Sequence, residues 1–306
     1  MSVHFHQAAI IGIGLIGSSL ARILRQKGVA DRITGAARSE KNRKTAVALN
    51  VVDEAFENPS DAVKGADIVF VCTPVGSIPE TIGGVVPFLK KDAIVTDVGS
   101  VKAEIIKRVK PYLTDSFSFV PGHPVAGTEK SGPENGFAEL FDGRWCILTP
   151  EVGTDAGAVA AVREIWEQAG MKVEEMSAER HDKVMALMSH LPHLIAYTIV
   201  GTAADLETET REDVIKYAAG GFRDFTRIAG SDPVMWRDIF LNNTGAVLDC
   251  LQRFSEDLTV LQKAIRQKDG VTLQDWFTRT RKIRREVIDV RQAQPEYEKL
   301  QMRNKE

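Results

Sequence analysis

Residues 8–21 read AAIIGIGLIGSSLA, and the fold class turns on them. The apolar run from Ala8 to Ile11 leads into Gly12, Gly14 and Gly17, and a helix-compatible segment follows at once. A buried parallel strand, a tight glycine turn and a helix start have this order. Gly12 permits the sharp turn, and Gly14 lets a pyrophosphate approach the backbone. Gly17 lets the helix sit close on its strand, while the amides around Leu15 and Ile16 face the anion. The competing reading is a tight strand-to-helix turn with no ligand. The strand before and the helix after favour a dinucleotide site.

Working outward, the strand–helix alternation continues. A helix is predicted from Leu15 to Lys27 and a second strand from Arg32 to Ala37. In NAD-binding domains an acidic residue at the end of this strand accepts bonds from the adenine ribose. Here Ala37 takes that place, followed by Arg38 and Ser39, with Arg43 and Lys44 a turn later. Lost repulsion and a nearby guanidinium favour NADP over NAD, against the alternative of a solvated basic helix start. Further strands are expected at Asp67–Cys72, Ala93–Asp97 and Phe117–Val120, with helices at 78–89 and after Lys102. Alternation of this kind predicts an α/β Rossmann-type, doubly wound parallel sheet, whose ligands lie off the carboxyl strand ends. Thr73 and Pro74, Ser100 and His123 each follow a strand end, which places them on one rim. His123 lies between Pro121 and Pro124, whose rings restrict the loop and hold the imidazole. Ser100 suits a helix cap, and since capping does not exclude hydrogen bonding in an active site it is also a candidate there. A strand at Trp145–Thr149, a helix at 155–169 and a strand at Lys172–Met176 would complete the sheet, so the first domain spans 1–177.

The alternation stops at Ser177, and residues 178–306 read as an all-helical domain. Ser177 caps a long apolar helix running to about Asp205, interrupted where Pro192 denies a donor to the Met188 carbonyl. Its sparse polar face suits burial in a bundle or a dimer. His190 and His193 share a face at the kink. With no carboxylate beside them a metal site is not expected, and the alternatives are satisfied core histidines or substrate contacts. Downstream, Arg223 and Arg227 share a helical face with Asp224 close by. That is either a surface ion-pair face or, with Phe222 and Phe225 alongside, a partly buried rim able to grip a carboxylate. Asp232 and Pro233 start a helix that carries Trp236. Helices at Thr244–Gln267 and Leu273–Arg291 precede a polar tail from Gln292.

The composition of the whole chain agrees with two soluble globular domains: 306 residues, 43% hydrophobic and 26% charged. A net charge of −3 offers no basic field to nucleic acid or an anionic membrane. Cys72, Cys146 and Cys250 are few, odd in number and scattered, which argues against a disulfide framework and suits a reducing cytoplasm. No signal-peptide pattern opens the chain and no apolar run approaches a membrane span, so a cytoplasmic protein is expected.

From Ala8 to Arg291 the sequence resembles the prephenate and arogenate dehydrogenases of tyrosine biosynthesis. The motifs that carry the likeness are GIGLIGSSLA, DVGSVK at 97–102, GHPVAGTEKSG at 122–132, SHLPH at 189–193 and GGFRDFTRIAGSDPVMWRDI at 220–239. The resemblance implies a Rossmann domain followed by a helical domain that forms a homodimer. It also implies oxidative decarboxylation of a small molecule, prephenate or arogenate. By similarity His123 takes the ring-hydroxyl proton, Ser100 holds the same neighbourhood and Arg227 grips the ring carboxylate. His193 and His190 contact the side chain, and Arg223, Asp224 and Trp236 shape the pocket. A 3-hydroxyacid dehydrogenase and a non-catalytic dinucleotide sensor are the rivals. The first would call for a lysine on a helix of the second domain, and the second for a degraded rim.

Overall fold

In the computed structural model, residues 3–128, 130–205, 216 and 220–289 are described. Strand β1 (Phe5–Ile11) is buried from Ala8 onward, and Gly12, at φ +97°, turns the chain into helix α1 (Leu15–Gln26). There follow β2 (Ala30–Ala36), α2 (Glu40–Ala48), β3 (Glu54–Phe56), α3 (Pro59–Ala62), β4 (Ile68–Val71) and α4 (Ile78–Val85). Strand β5 (Ala93–Asp97), helix α5 (Ala103–Val109) and β6 (Phe117–Val120) complete the series. All six strands are parallel, in the order β3-β2-β1-β4-β5-β6. The order reverses between β1 and β4, the crevice where doubly wound sheets bind ligands.

Alternation along the strands feeds two apolar layers. Ile10 and Phe70 pack with Leu20, Phe141 and Trp166 on one face, while Ile11, Val69 and Val71 pack with Ile78, Ile82 and Ile105 on the other. Burial on both faces is why the strands read as continuous apolar runs. Register places the carboxyl ends on one rim: Ile11 pairs with both Ala36 and Val71, and Val71 pairs with Asp97.

Past β6 the structure departs from expectation. The later strands do not extend the main sheet. They form a separate three-stranded sheet in the order β7-β8-β9, of β7 (Gly122–Pro124), β8 (Trp145–Leu148) and β9 (Lys172–Glu175). Pro121 has no N–H and cannot extend a parallel ladder, so the chain turns and pairs antiparallel with β8, His123 opposite Ile147. The expected loop histidine therefore stands on a strand, and the ladder as well as the prolines holds its backbone. Helix α6 (Ala156–Gln168) is capped by Asp155, which accepts from Ala158 N at 2.7 Å.

From α7 (Ala178–Met185) onward the described elements are helical. Ser177 caps α7 as predicted, accepting from Arg180 N at 3.2 Å. The interruption expected at Pro192 takes the form of a π-helical turn, Ala186–His190, before α8 (Leu191–Ala204), with Pro192 in the first turn of α8. There follow α9 (Gly220–Thr226), a 3₁₀ turn (Arg227–Gly230), α10 (Pro233–Asn242) with Asp232 capping, α11 (Thr244–Arg266) and α12 (Gly270–Asp289). Glu129, Arg291 and the tail from Gln292 lie outside the described residues.

One exclusion drawn from the sequence does not hold. Ala178–Ala204 is, by length and composition, the one stretch among the described residues long and apolar enough to cross a membrane, with a window of mean hydropathy 1.4. Charged and histidine residues break it up in the sequence, and the helix collects its apolar residues into one rod. Only 28% of that window is buried within a single chain, as expected for a helix that another surface covers.

Candidate active site

The three glycines of the first turn do three different things. A Cβ on Gly12 would lie 2.6 Å from the Cys72 carbonyl oxygen, and one on Gly17 would lie 2.2 Å from the Gly12 carbonyl oxygen. Both positions exclude a side chain because backbone touches backbone there. Gly14 meets nothing within 4 Å, so its backbone faces open space beside the first amides of α1, which lack acceptors inside the helix. Leu15 is buried, Ile16 is half-buried and Ser18 N makes the first helical bond, to Gly14 O. Across the crevice, Thr73 Oγ1 is buried and has no hydrogen-bond partner, and Pro74 beside it is exposed. An open glycine, a free helix start and an unpartnered hydroxyl on one rim fit a dinucleotide.

At the end of β2, Ala37 is half-buried while Arg38 and Ser39 are exposed. The Ser39 hydroxyl caps α2, accepting from Asn42 N. Arg43 turns back to donate to the Ala37 and Arg38 carbonyls at 2.8 and 2.9 Å, and it also pairs with Glu57. Its guanidinium is therefore engaged in holding the β2 end.

The rim past β5 is built around a buried ion pair. Lys102 Nζ bonds Asp97 Oδ2, both side chains being fully buried, and donates to Gly122 O at 2.7 Å. Asp97 in turn accepts from Gly99 N and Gly122 N, so the pair ties the β5 end to the start of β7. Ser100, half-buried on the same loop, is not the helix cap that was considered for it. Helix α5 starts at Ala103 with Lys102 as its N-cap residue, and the amides of Lys102 and Ala103 donate to Asp182 of α7 at 2.8 and 2.9 Å. A carboxylate from 80 residues away holds this turn against the helical region.

That same carboxylate begins a buried chain. Asp182 Oδ1 lies 2.8 Å from His181 Nδ1, and His181 Nε2 lies 2.7 Å from His123 Nδ1. Burial pushes His123 well below the usual histidine value, with His181, Lys102 and His190 adding to the effect. His181 is lowered by burial, against the Asp182 contacts that raise it. His123 is thus a neutral base at neutral pH.

His190 and His193 both meet Trp236. His193 stacks on the indole at 3.6 Å between ring centroids, and His190 meets it edge-on at 6.1 Å. Asn243 Nδ2 donates to the Asp182 carbonyl and to His190 Nδ1, which leaves the His190 proton on Nε2, a buried atom that makes no well-formed hydrogen bond although the Ser100 carbonyl is near the ring. Burial pushes His190 down to about 4, against Asp182 and the Ser100 carbonyl, which favour the charged ring. His193 Nδ1 donates to Ser189 O at 2.9 Å, so its Nε2 is free to accept. Trp236 Nε1 is a buried donor without a partner. Trp236 packs in the same apolar layer as Val75 and Ile78, which sets this wall beside the sheet rim. The nearby Arg227 guanidinium acts with burial to hold His193 below its usual value. Arg223, Asp224 and Arg227 are exposed in the single chain, where a partly buried rim had been one of the alternatives. Among the described residues no cluster of His, Cys, Asp or Glu could hold a metal ion.

Sequence reasoning missed Asp97, Lys102, His181, Asp182 and Asn243. A signal existed for two of them: the adjacent His181-Asp182 pair is out of place at the start of an apolar helix. Asp97 and Lys102 lay inside a quoted motif from which only Ser100 was drawn.

Comparison with known proteins places these features. Residues 20–175 match the model of the prephenate dehydrogenase nucleotide-binding domain, and residues 177–279 that of the prephenate dehydrogenase dimerization domain. The cyclohexadienyl dehydrogenase of Zymomonas mobilis is 44% identical over 280 residues, 92% of this chain and 95% of that protein. Prephenate dehydrogenase from A. aeolicus, solved with hydroxyphenyl propionate and NAD+, superposes with a TM-score of 0.87 at 37% identity, over 94% of this chain and 100% of that one. Synechocystis arogenate dehydrogenase follows with a TM-score of 0.77 at 31% identity, covering 92% and 99% of the two chains. The chain belongs to the prephenate dehydrogenase family and is a nicotinamide-dinucleotide-dependent oxidoreductase.

Proposed function

We propose that this protein oxidatively decarboxylates the cyclohexadienyl substrates prephenate and arogenate, giving 4-hydroxyphenylpyruvate and tyrosine. The observation that carries this is His123, a buried neutral imidazole where the carboxyl strand ends meet the helical region. Residues 1–177 hold the dinucleotide through Gly12, Gly14, Leu15, Ile16, Gly17, Thr73 and Pro74. Residues 178–306 supply the substrate wall and the dimer contact.

His123 takes the proton of the ring hydroxyl, and a positioned base of this kind contributes about 10²–10⁴ in rate. Ser100 holds the hydroxyl in the same neighbourhood. When bound, the nicotinamide supplies the hydride acceptor, and carbon dioxide then leaves as the ring becomes aromatic. Arg227 grips the ring carboxylate, so the leaving group is oriented before it departs. His193 and His190 meet the pyruvyl or alanyl side chain. Their unfilled atoms are complementary, an acceptor on His193 and a donor on His190. Trp236, Arg223 and Asp224 shape the pocket.

At the adenine end, the exposed Arg38 beside Ala37 favours NADP, with NAD as the second reading because the A. aeolicus relative was solved with NAD+. A second copy covers the helical region. Leu258, Ile265, Phe277 and Ile283 lie exposed on α11 and α12, an apolar surface that suits an interface rather than water. A spectrophotometric assay crossing prephenate and arogenate with NAD and NADP tests the proposal. Reduced cofactor should appear with at least one pair, and its absence from all four would refute the activity.

A further inference from the structure

We infer that His181 and Asp182 act as a positioning relay behind His123, setting its tautomer so that Nε2, not Nδ1, is the base. The inference rests on His123 being the base of the proposed reaction. Its warrant is the polarity of the hydrogen bonds. Asp182 accepts from the Lys102 amide on Oδ1 and from the Ala103 amide on Oδ2, so both oxygens serve as acceptors and His181 Nδ1 donates to it. A neutral His181 with its proton on Nδ1 has a bare Nε2. That bare nitrogen can only accept, so His123 Nδ1 must donate across the 2.7 Å contact. His123 is then bare at Nε2, the nitrogen left for a substrate hydroxyl. Every direction in the chain follows from one acceptor-only carboxylate, itself fixed by two backbone amides.

The proton balance is simple. The substrate O–H bond breaks and a His123 Nε2–H bond forms. The Nδ1 proton of His123 is shared with His181 Nε2, and the growing positive charge spreads toward the Asp182 carboxylate. Nothing leaves the relay and no further reactant is needed. Around it, Lys102, His190 and His181 when charged oppose charge on His123, Lys102 opposes and Asp97 and Asp182 favour charge on His181, and Cys146 lies against the His123 backbone. The relay thus places compensating negative charge behind a base that its other neighbours disfavour when charged. Asp182 also caps α5, which links the orientation of the base to the docking of α7 on the rim. Geometry with a third group orienting the base is the logic of catalytic triads, here with an extra imidazole between carboxylate and base.

The test compares His181→Leu, which removes the acceptor, with His181→Gln, whose Oε1 can take the place of Nε2. His181→Leu should lower kcat about a hundredfold with cofactor affinity unchanged. A neutral His181 carries no charge to oppose the imidazolium and only accepts from it, so its loss weakens the base and the acid limb of kcat/KM should move to lower pH. His181→Gln should recover kcat to within about tenfold of the parent and restore the limb. Parent-like kcat and limb in His181→Leu would overturn the relay, as would equal losses in both variants with the limb unmoved. On the unmodified protein, ¹⁵N-histidine spectra should show His123 protonated at Nδ1 and bare at Nε2, and the opposite tautomer overturns the relay without any substitution. His123→Asn separates the two ideas: if it retains full turnover, the proposed base is wrong. If it abolishes turnover while His181→Leu has no effect, only the relay is wrong.

Discussion

Replacing Lys102 by Met tests how the catalytic rim is held. Both partners of the Lys102–Asp97 pair are fully buried. Burial pushes the Lys102 ammonium down, and the Asp97 carboxylate holds it up. Met matches the length of the lysine stem, so the substitution removes the charge and leaves the packing nearly intact. What remains is a carboxylate at zero exposure with two backbone amides and no cation. Removing one partner of a buried pair costs about 3–5 kcal/mol. The lost bond to the Gly122 carbonyl is part of the same loss, worth about 1 kcal/mol alone. Against the roughly 5–15 kcal/mol that stabilises a domain, this is a large share. With a urea slope of about 2 kcal/mol per molar, the unfolding midpoint should fall by roughly 2 M. Circular dichroism across a urea series measures it. Asparagine in place of Asp97 would remove the uncompensated charge. A second variant, Lys102→Met with Asp97→Asn, should recover about 2 kcal/mol for the same reason. A loss below about 1 kcal/mol in the single variant would refute the reasoning, as would a double variant no more stable than the single.

Other outcomes follow from the same geometry. His123, His181 and His190 are held below the ordinary histidine value, chiefly by burial, while the unfolded chain binds those protons near pH 6.5. Their contribution to stability is present above about pH 6.5 and is lost as pH falls toward about 4; His190 alone accounts for roughly 3 kcal/mol. Urea midpoints that do not change between about pH 7.5 and about pH 5 would contradict this. Arg227→Ala should raise KM for prephenate about tenfold to a hundredfold with little effect on the cofactor KM; an unchanged prephenate KM removes Arg227 from carboxylate binding. Arg38→Ala should raise KM for NADP more than for NAD, and equal effects would show that Arg38 does not meet a 2′-phosphate. Phe277, 57% exposed on α12, should break the dimer when replaced by Asp, seen as a halved mass in sedimentation. An unchanged mass would place the interface elsewhere.

What could be read directly in the sequence was local. The glycine turn, the parallel strands β1, β2, β4, β5 and β6, and the caps at Ser177 and Asp232 depend on residues a few positions apart. Steric rules and hydrogen-bond caps act over that range, so pattern alone suffices. The candidate positions past each strand end were equally legible, because a parallel sheet puts its carboxyl ends together. Elements that depended on a distant partner were misread. Trp145–Leu148 and Lys172–Glu175 have strand patterns, but nothing local says which sheet they join; that depends on Pro121 ending the ladder. Ser100 looked like the cap of α5 because the true cap, Asp182, stands 80 residues away on another helix. The tertiary structure also decided what kind of base His123 is. From sequence it is a histidine of ordinary acidity near two prolines. Folding removes its water, lowers its proton affinity and backs it with His181 and Asp182. Acidity and tautomer depend on which charges and dipoles surround a group in space, and only the fold brings those together.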